Sequence, residues 1–70
     1  MKMLDKNGTE LKVGDWVIHT TIFGTELGHI YSIDTTNNFL IVTVKNRKEN
    51  WWLKVTKILE KDIFQWYLEN

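Results

Sequence analysis

The chain has no cysteine and no proline. Disulfides and Cys-based metal sites are therefore excluded, and the usual breaks that proline imposes on strands and helices are missing. Glycine is scarce: Gly8, Gly14, Gly24 and Gly28 are all of it, so the last 42 residues carry none. Net charge is also absent, with nine basic residues against nine acidic ones. No global field draws the chain to nucleic acid or to an anionic membrane. No segment approaches the roughly 20 consecutive apolar residues of a membrane span. The start, Met1-Lys2-Met3-Leu4-Asp5, lacks the apolar run of a secretory signal. These absences predict a soluble, cytoplasmic protein with no membrane partner.

Aromatic residues are what the chain does have. Trp16, Trp51, Trp52 and Trp66 stand with Phe23, Phe39, Phe64, Tyr31 and Tyr67 in only 70 residues. A chain of this length forms one domain, taken as 1–70, and buries about 60% of the surface its unfolded form exposes. Each aromatic can bury about 150–250 Å², so rings should dominate a small core.

The order of elements follows from turn chemistry and alternation. Asp5-Lys6-Asn7-Gly8-Thr9 reads as a hairpin turn of type I′, with Met3-Leu4 and Glu10-Leu11 as its arms. Lys12-Val13-Gly14-Asp15 is a second bend, leading into a strand from Trp16 to Thr20. That strand places Val17 and His19 on one face, Trp16 and Ile18 on the other. Thr21 to Leu27 reads as a loop bounded by Gly24 and Gly28. His29 to Ile33 is the next strand, with a bulge or bend, because Ile30 and Ile33 cannot share a face of a regular strand. After the polar turn Asp34–Asn38, Phe39–Val44 is β-branched and apolar on both sides, and is expected to be central. Lys45 to Asn50 reads as a hairpin loop and Trp51-Trp52-Leu53-Lys54 as a strand.

Residues 55–69 carry two patterns. Val55, Ile58, Leu59, Ile63 and Trp66 fall on one helical face, while Phe64, Trp66 and Leu68 alternate as in a strand. The preferred reading is a short fifth strand around Ile58–Glu60 and a two-turn helix from Ile63, with Asp62 and Gln65 as its capping box. Two turns are not stable alone in water, so such a helix requires its apolar side to pack over an open end of the sheet.

At Gly14-Asp15-x-Val17, Gly28-x-Ile30-x-x-Ile33 and Leu40-x-Val42, residues 11–60 resemble the SH3-like barrels of the KOW and Tudor type. Similar small barrels occur in bacterial and phage proteins. The resemblance implies a mainly β fold, a five-stranded SH3-like barrel, to which the residues outside it add the N-terminal Asn-Gly hairpin and a C-terminal apolar tail over 62–69 with its short helix. It also implies a binding module, since barrels of this type contact RNA or other proteins. The departure lies in the loop before Gly28, lysine-rich in that family and Gly24-Thr25-Glu26-Leu27 here.

Charge is unevenly placed. No lysine or arginine occurs from Val13 to Val44, whereas Lys45, Arg47, Lys48, Lys54 and Lys57 follow within thirteen residues, against Glu49 alone. Trp51 and Trp52 sit inside this basic stretch. Cations neutralise phosphates and an exposed indole stacks on a base, so RNA or single-stranded DNA binding is one reading. A solvated hairpin tip is the other, and one of two adjacent tryptophans in a strand must face inward. The tail Ile63–Leu68 is apolar on nearly every side: either it caps the sheet, or Trp66 and Tyr67 remain exposed for a protein partner or a second copy. His19 and His29 would meet as metal ligands only if their strands bring them together. No nucleophile, base and orienting group stand in an evident triad, so no catalytic residue, metal or cofactor is expected. The favoured function is a non-enzymatic protein-binding module using aromatic surface at Trp51, Trp52, Trp66 and Tyr67; the alternative is nucleic-acid binding through 45–57.

Overall fold

The structure is a computed structural model that describes residues 3–52 and 54–69; Leu53, placed in a strand by the sequence, lies outside the described residues. Five antiparallel strands form one sheet: β1 (Trp16–Thr21), β2 (Gly24–Asp34), β3 (Phe39–Val44), β4 (Arg47–Trp52) and β5 (Thr56–Ile58). Their order is β4-β3-β2-β1-β5, so the fifth strand returns to pair with the first. The outermost strands β4 and β5 share no ladder and the sheet is not closed. A 3₁₀ turn (Glu60–Asp62) leads into helix α1 (Ile63–Glu69). No helix among the described residues is long and apolar enough to cross a membrane.

Alternation sorts the side chains into two faces. Val17, Ile30, Leu40, Val42, Val44 and Trp51 point to the inner face and are buried, together with Val55. The N-terminal hairpin closes this side by adding Met3 and Leu11 to the same core. Asp5 fastens that hairpin to the sheet. Its Oδ1 accepts from the Asn7 and Thr9 amides at 2.9 and 2.8 Å, and its Oδ2 from the Lys57 amide of β5 at 2.8 Å. Burial alone pushes this carboxyl's pKa up. The amides of Lys57, Thr9 and Asn7, with the Lys57 charge, pull harder, and the net position is below the ordinary 3.8.

The bulge expected between Ile30 and Ile33 is present: the β2–β3 register slips between Ile30 and Ser32, which frees both isoleucines to face the core side. Phe39–Val44 lies between two neighbours, as expected, although β2 is the middle strand of the five. The turns differ more. The Asp5–Thr9 hairpin exists, but Gly8 has positive φ (83°) and Asn7 does not. The Gly8 amide donates to Asp5 O and the Asp5 amide to Thr9 O. That is a type I turn followed by a left-handed glycine, chosen because the Asp5 carboxylate already holds the Asn7 amide. The type I′ turn occurs at Lys45–Asn46, with φ of 49° and 67°, and joins β3 to β4 with Val44 opposite Arg47. Lys45 to Asn50 is therefore not a loop: its last four residues are strand.

The expected loop from Thr21 to Leu27 is likewise a tight hairpin. Thr21 stands opposite Gly24, leaving Ile22 and Phe23 as a two-residue tip. The Thr21 hydroxyl accepts from the Phe23 amide at 3.1 Å and donates to Gly24 O at 3.2 Å, replacing the loop by a self-contained turn. Gly28 is no loop glycine either. It pairs with Val17 in mid-strand, and a Cβ built on it would lie 2.9 Å from Trp51 Cη2 and Cζ3 and 3.2 Å from Val42 Cβ. Its value is the space it leaves for the indole.

The fifth strand falls at Thr56–Ile58, two residues ahead of the sequence reading. The helix begins at Ile63 as expected, but without the Asp62–Gln65 capping box: Gln65 Nε2 donates to Glu69 instead. No residue of α1 is fully buried.

Candidate functional site

Strand alternation divides the basic stretch rather than gathering it. Arg47, Glu49 and Trp51 point to one face of β4, and Lys48, Asn50 and Trp52 to the other. Arg47 pairs with Glu49 at 3.3 Å, and Glu49 also accepts the Trp51 indole N–H at 3.1 Å. Lys57 pairs with Asp15 at 3.3 Å, beside the turn in which Asp15 Oδ2 holds the Lys12 amide. Lys48 Nζ lies 3.9 Å above the Tyr31 ring. Lys45 occupies the β3–β4 turn and Lys54 follows the far end of β4, so the six-residue strand, about 20 Å long, separates them.

The two adjacent tryptophans part company. Trp51 is 4% exposed in the core, its ring 4.8 Å from that of His19. It is therefore corrected from a surface residue to a core residue. Trp52 is 62% exposed on the outer face and lies against Phe39, ring centroids 4.1 Å apart. Tyr31 on β2 is also exposed and lies beneath Lys48, a second outward contact separate from the Trp52–Phe39 pair. Trp52 and Lys54 also line a hollow of about 680 Å³ with His19 and Asn38.

Trp66 and Tyr67 form a second aromatic group. Their rings meet edge to face at 5.0 Å. They flank a groove of about 490 Å³ whose floor is the outer face of the sheet at Trp16, Leu27, His29 and Thr43, with Lys45 at its rim. His29 stacks on Trp16 at 4.3 Å and its Nε2–H donates to Gly14 O at 2.9 Å. The nine residues singled out from sequence thus fall into two outward groups (Trp52 with Lys54 and Lys48, and Trp66 with Tyr67 and Lys45), one buried ring and two ion-paired cations.

His19 and His29 lie on paired strands but do not meet. His19 stands opposite Glu26 and His29 opposite Trp16, and they point to opposite faces. Among the described residues no three His, Asp or Glu side chains converge as metal ligands. Sequence reasoning missed Tyr31, Phe39 and, above all, the tip residues Ile22 and Phe23, which are 93% and 92% exposed. Register supplies the signal for the first two; for the tip, the signal is Thr-x-x-Gly closing a two-residue turn. Comparison with protein-family models, with curated proteins and with solved structures returns no match for this chain.

Proposed function

We propose that this chain is a non-enzymatic SH3-like module of the cytoplasm that binds another protein, or a second copy of itself, through outward aromatic side chains. The observation that carries this reading is Trp52, 62% exposed and braced on Phe39. A large ring held in a fixed orientation loses little entropy on binding, and Trp and Tyr are the residues that dominate interface energetics. The SH3-like assignment rests on five short antiparallel strands of which the last returns to the first. Affinity capture from lysate tests the binding reading. A discrete partner set retained by the native chain and lost with Trp52→Ala supports it. Capture unchanged in Trp52→Ala and Tyr67→Ala refutes it.

A second reading, binding of RNA or single-stranded DNA, is favoured by one observation: Trp52 and Lys54 share a hollow. With few cations on that face, affinity should fall with salt along a shallow slope, about 0.7 per phosphate neutralised. No mobility shift of poly(U) or poly(dT) at low ionic strength ends it.

A further inference from the structure

One side of β4 is an open sheet edge. Val44 and Arg47 close a two-residue hairpin, so they exchange both main-chain bonds, and bonded and non-bonded pairs alternate from there. The N–H and C=O groups of Arg47, Glu49 and Trp51 therefore turn toward β3. Those of Lys48, Asn50 and Trp52 turn away from the sheet. All three residues are exposed, and among the described residues no hydrogen bond reaches their main chain from that side.

The opposite edge is built differently. In β5, Thr56 and Ile58 pair with Ile18 and Trp16, and Lys57 turns outward between them. The Lys57 amide donates to Asp5 Oδ2 at 2.8 Å, and just ahead of the strand Val55 O accepts from the Lys6 amide at 3.0 Å. The N-terminal hairpin thus covers one edge of the sheet and leaves the other open. The open edge also ends in a recess, the hollow that Trp52 and Lys54 line with His19 and Asn38. Trp52 is braced there on Phe39. Lys54 is exposed and makes no ion pair among the described residues, and no carboxylate lines the hollow.

We propose that β4 takes up an extended segment of another protein as a sixth strand, with an apolar side chain of that segment on Trp52 and a carboxylate against Lys54. The inference rests on the protein-binding reading and names the partner's conformation and chemistry. Main-chain donors and acceptors offered at every second residue are matched by another extended polypeptide backbone; neither a nucleic acid nor a lipid surface has that repeat. The unpaired cation in the hollow selects an acidic side chain at that end. A second copy of the same edge is disfavoured. Two β4 edges related by a two-fold axis run antiparallel, which brings the Lys45 turn of each toward the Lys54 end of the other, cation against cation.

A displayed library of linear random heptapeptides, panned on the native chain, tests the proposal, followed by amide exchange of the isotope-labelled chain with the most enriched peptide. Enriched sequences should carry an apolar residue within two positions of an acidic one. In the free chain the amides of Lys48, Asn50 and Trp52 should exchange fast and those of Arg47, Glu49 and Trp51 slowly. Peptide at ten times its Kd should slow the first three about tenfold. Methylating the alternate peptide amides that face β4 should lower affinity at least tenfold, and methylating the intervening ones should not. Lys54→Glu, a change in solvent, should weaken the acidic peptides about fivefold. No enrichment overturns the proposal. So do enriched peptides that leave the Lys48, Asn50 and Trp52 amides exchanging as before, equal losses from both methylation patterns, or binding unchanged in Lys54→Glu. A partner set lost with Trp52→Ala while no peptide protects these amides ends strand addition and leaves the broader reading standing.

Discussion

Replacing Gly28 with alanine adds one methyl group, and its consequence can be worked from the coordinates. The backbone there is ordinary strand, not the left-handed region, so no conformational penalty attaches to a side chain. Alanine even restricts the unfolded chain, a gain of about 0.4–1 kcal/mol. Against that stands the new Cβ, 2.9 Å from two atoms of the Trp51 ring and 3.2 Å from Val42 Cβ. Neither neighbour is a flexible chain end: Val42 is fully buried and the indole is pinned by its N–H to Glu49. Overpacking a filled core costs about 1–3 kcal/mol. The expected net loss is about 1–2 kcal/mol, or a fall in Tm of about 5–15 °C for a domain of this size.

Urea denaturation followed by tryptophan fluorescence measures the loss, and a double-mutant cycle identifies its cause. Trp51→Phe removes the distal ring atoms that meet the new methyl. The Gly28→Ala/Trp51→Phe double variant should therefore be less destabilised than the two single losses added together, by about 1 kcal/mol, the scale of coupling between residues in contact. A Gly28→Ala variant as stable as the native chain, or strict additivity in the cycle, would refute the claim that this glycine exists to seat Trp51.

Trp51→Ala should cost about 3–5 kcal/mol as a core truncation, whereas Trp52→Ala should cost no more than about 1 kcal/mol, the worth of an aromatic pair, on the same melts. Lys45→Asn with Asn46→Gly places the preferred residues in the type I′ turn and should raise stability by about 1 kcal/mol. The folded-state pKa of Asp5 lies below its unfolded value, so the carboxylate's contribution is complete above the ordinary range and is lost as pH falls through the folded value. Asp5→Asn should cost about 2 kcal/mol at pH 7, because an amide group would then face the Lys57 N–H; melts at pH 7 and pH 3 should also show a smaller acid loss in this variant than in the native chain.

Where alternation was unbroken, the sequence was readable. The strands from Trp16 and over Phe39–Val44 were legible from alternation and the bulge near Tyr31 from its interruption between Ile30 and Ile33, whereas residues 55–69 fitted a helix and a strand alike, so that spacing alone did not define the helix from Ile63. The turns were not. Asn7-Gly8 carries the dipeptide of a type I′ turn, yet a buried carboxylate two residues earlier sets the local hydrogen bonds. Lys45-Asn46 has no glycine, yet the register of two strong strands forces both residues to positive φ. Gly24 and Gly28 looked alike as loop markers; only the tertiary position of Trp51 separates a turn glycine from a packing glycine. For the candidate site, alternation predicted that one of Trp51 and Trp52 turns inward but could not say which. Pairing across strands, which brings Phe39 to Trp52 and Lys48 to Tyr31, is not written in local spacing at all.

The same geometry explains why so much ring surface faces outward. The inner face takes aliphatic side chains from three successive strands, and the single indole it accepts needs a glycine opposite to fit. Of the nine aromatic residues only Trp51 is buried. The others occupy the outer face, the hairpin tip or the helix. Polar residues at those positions would leave the core untouched, since none of these rings belongs to it. Folding therefore does not require Trp52, Tyr31, Phe64 or Tyr67 to be aromatic. Two outward groups remain, Trp52 with Phe39 on the sheet and Phe64, Tyr67 and Leu68 on the helix, and each sets large apolar surface in water on a molecule with no net charge.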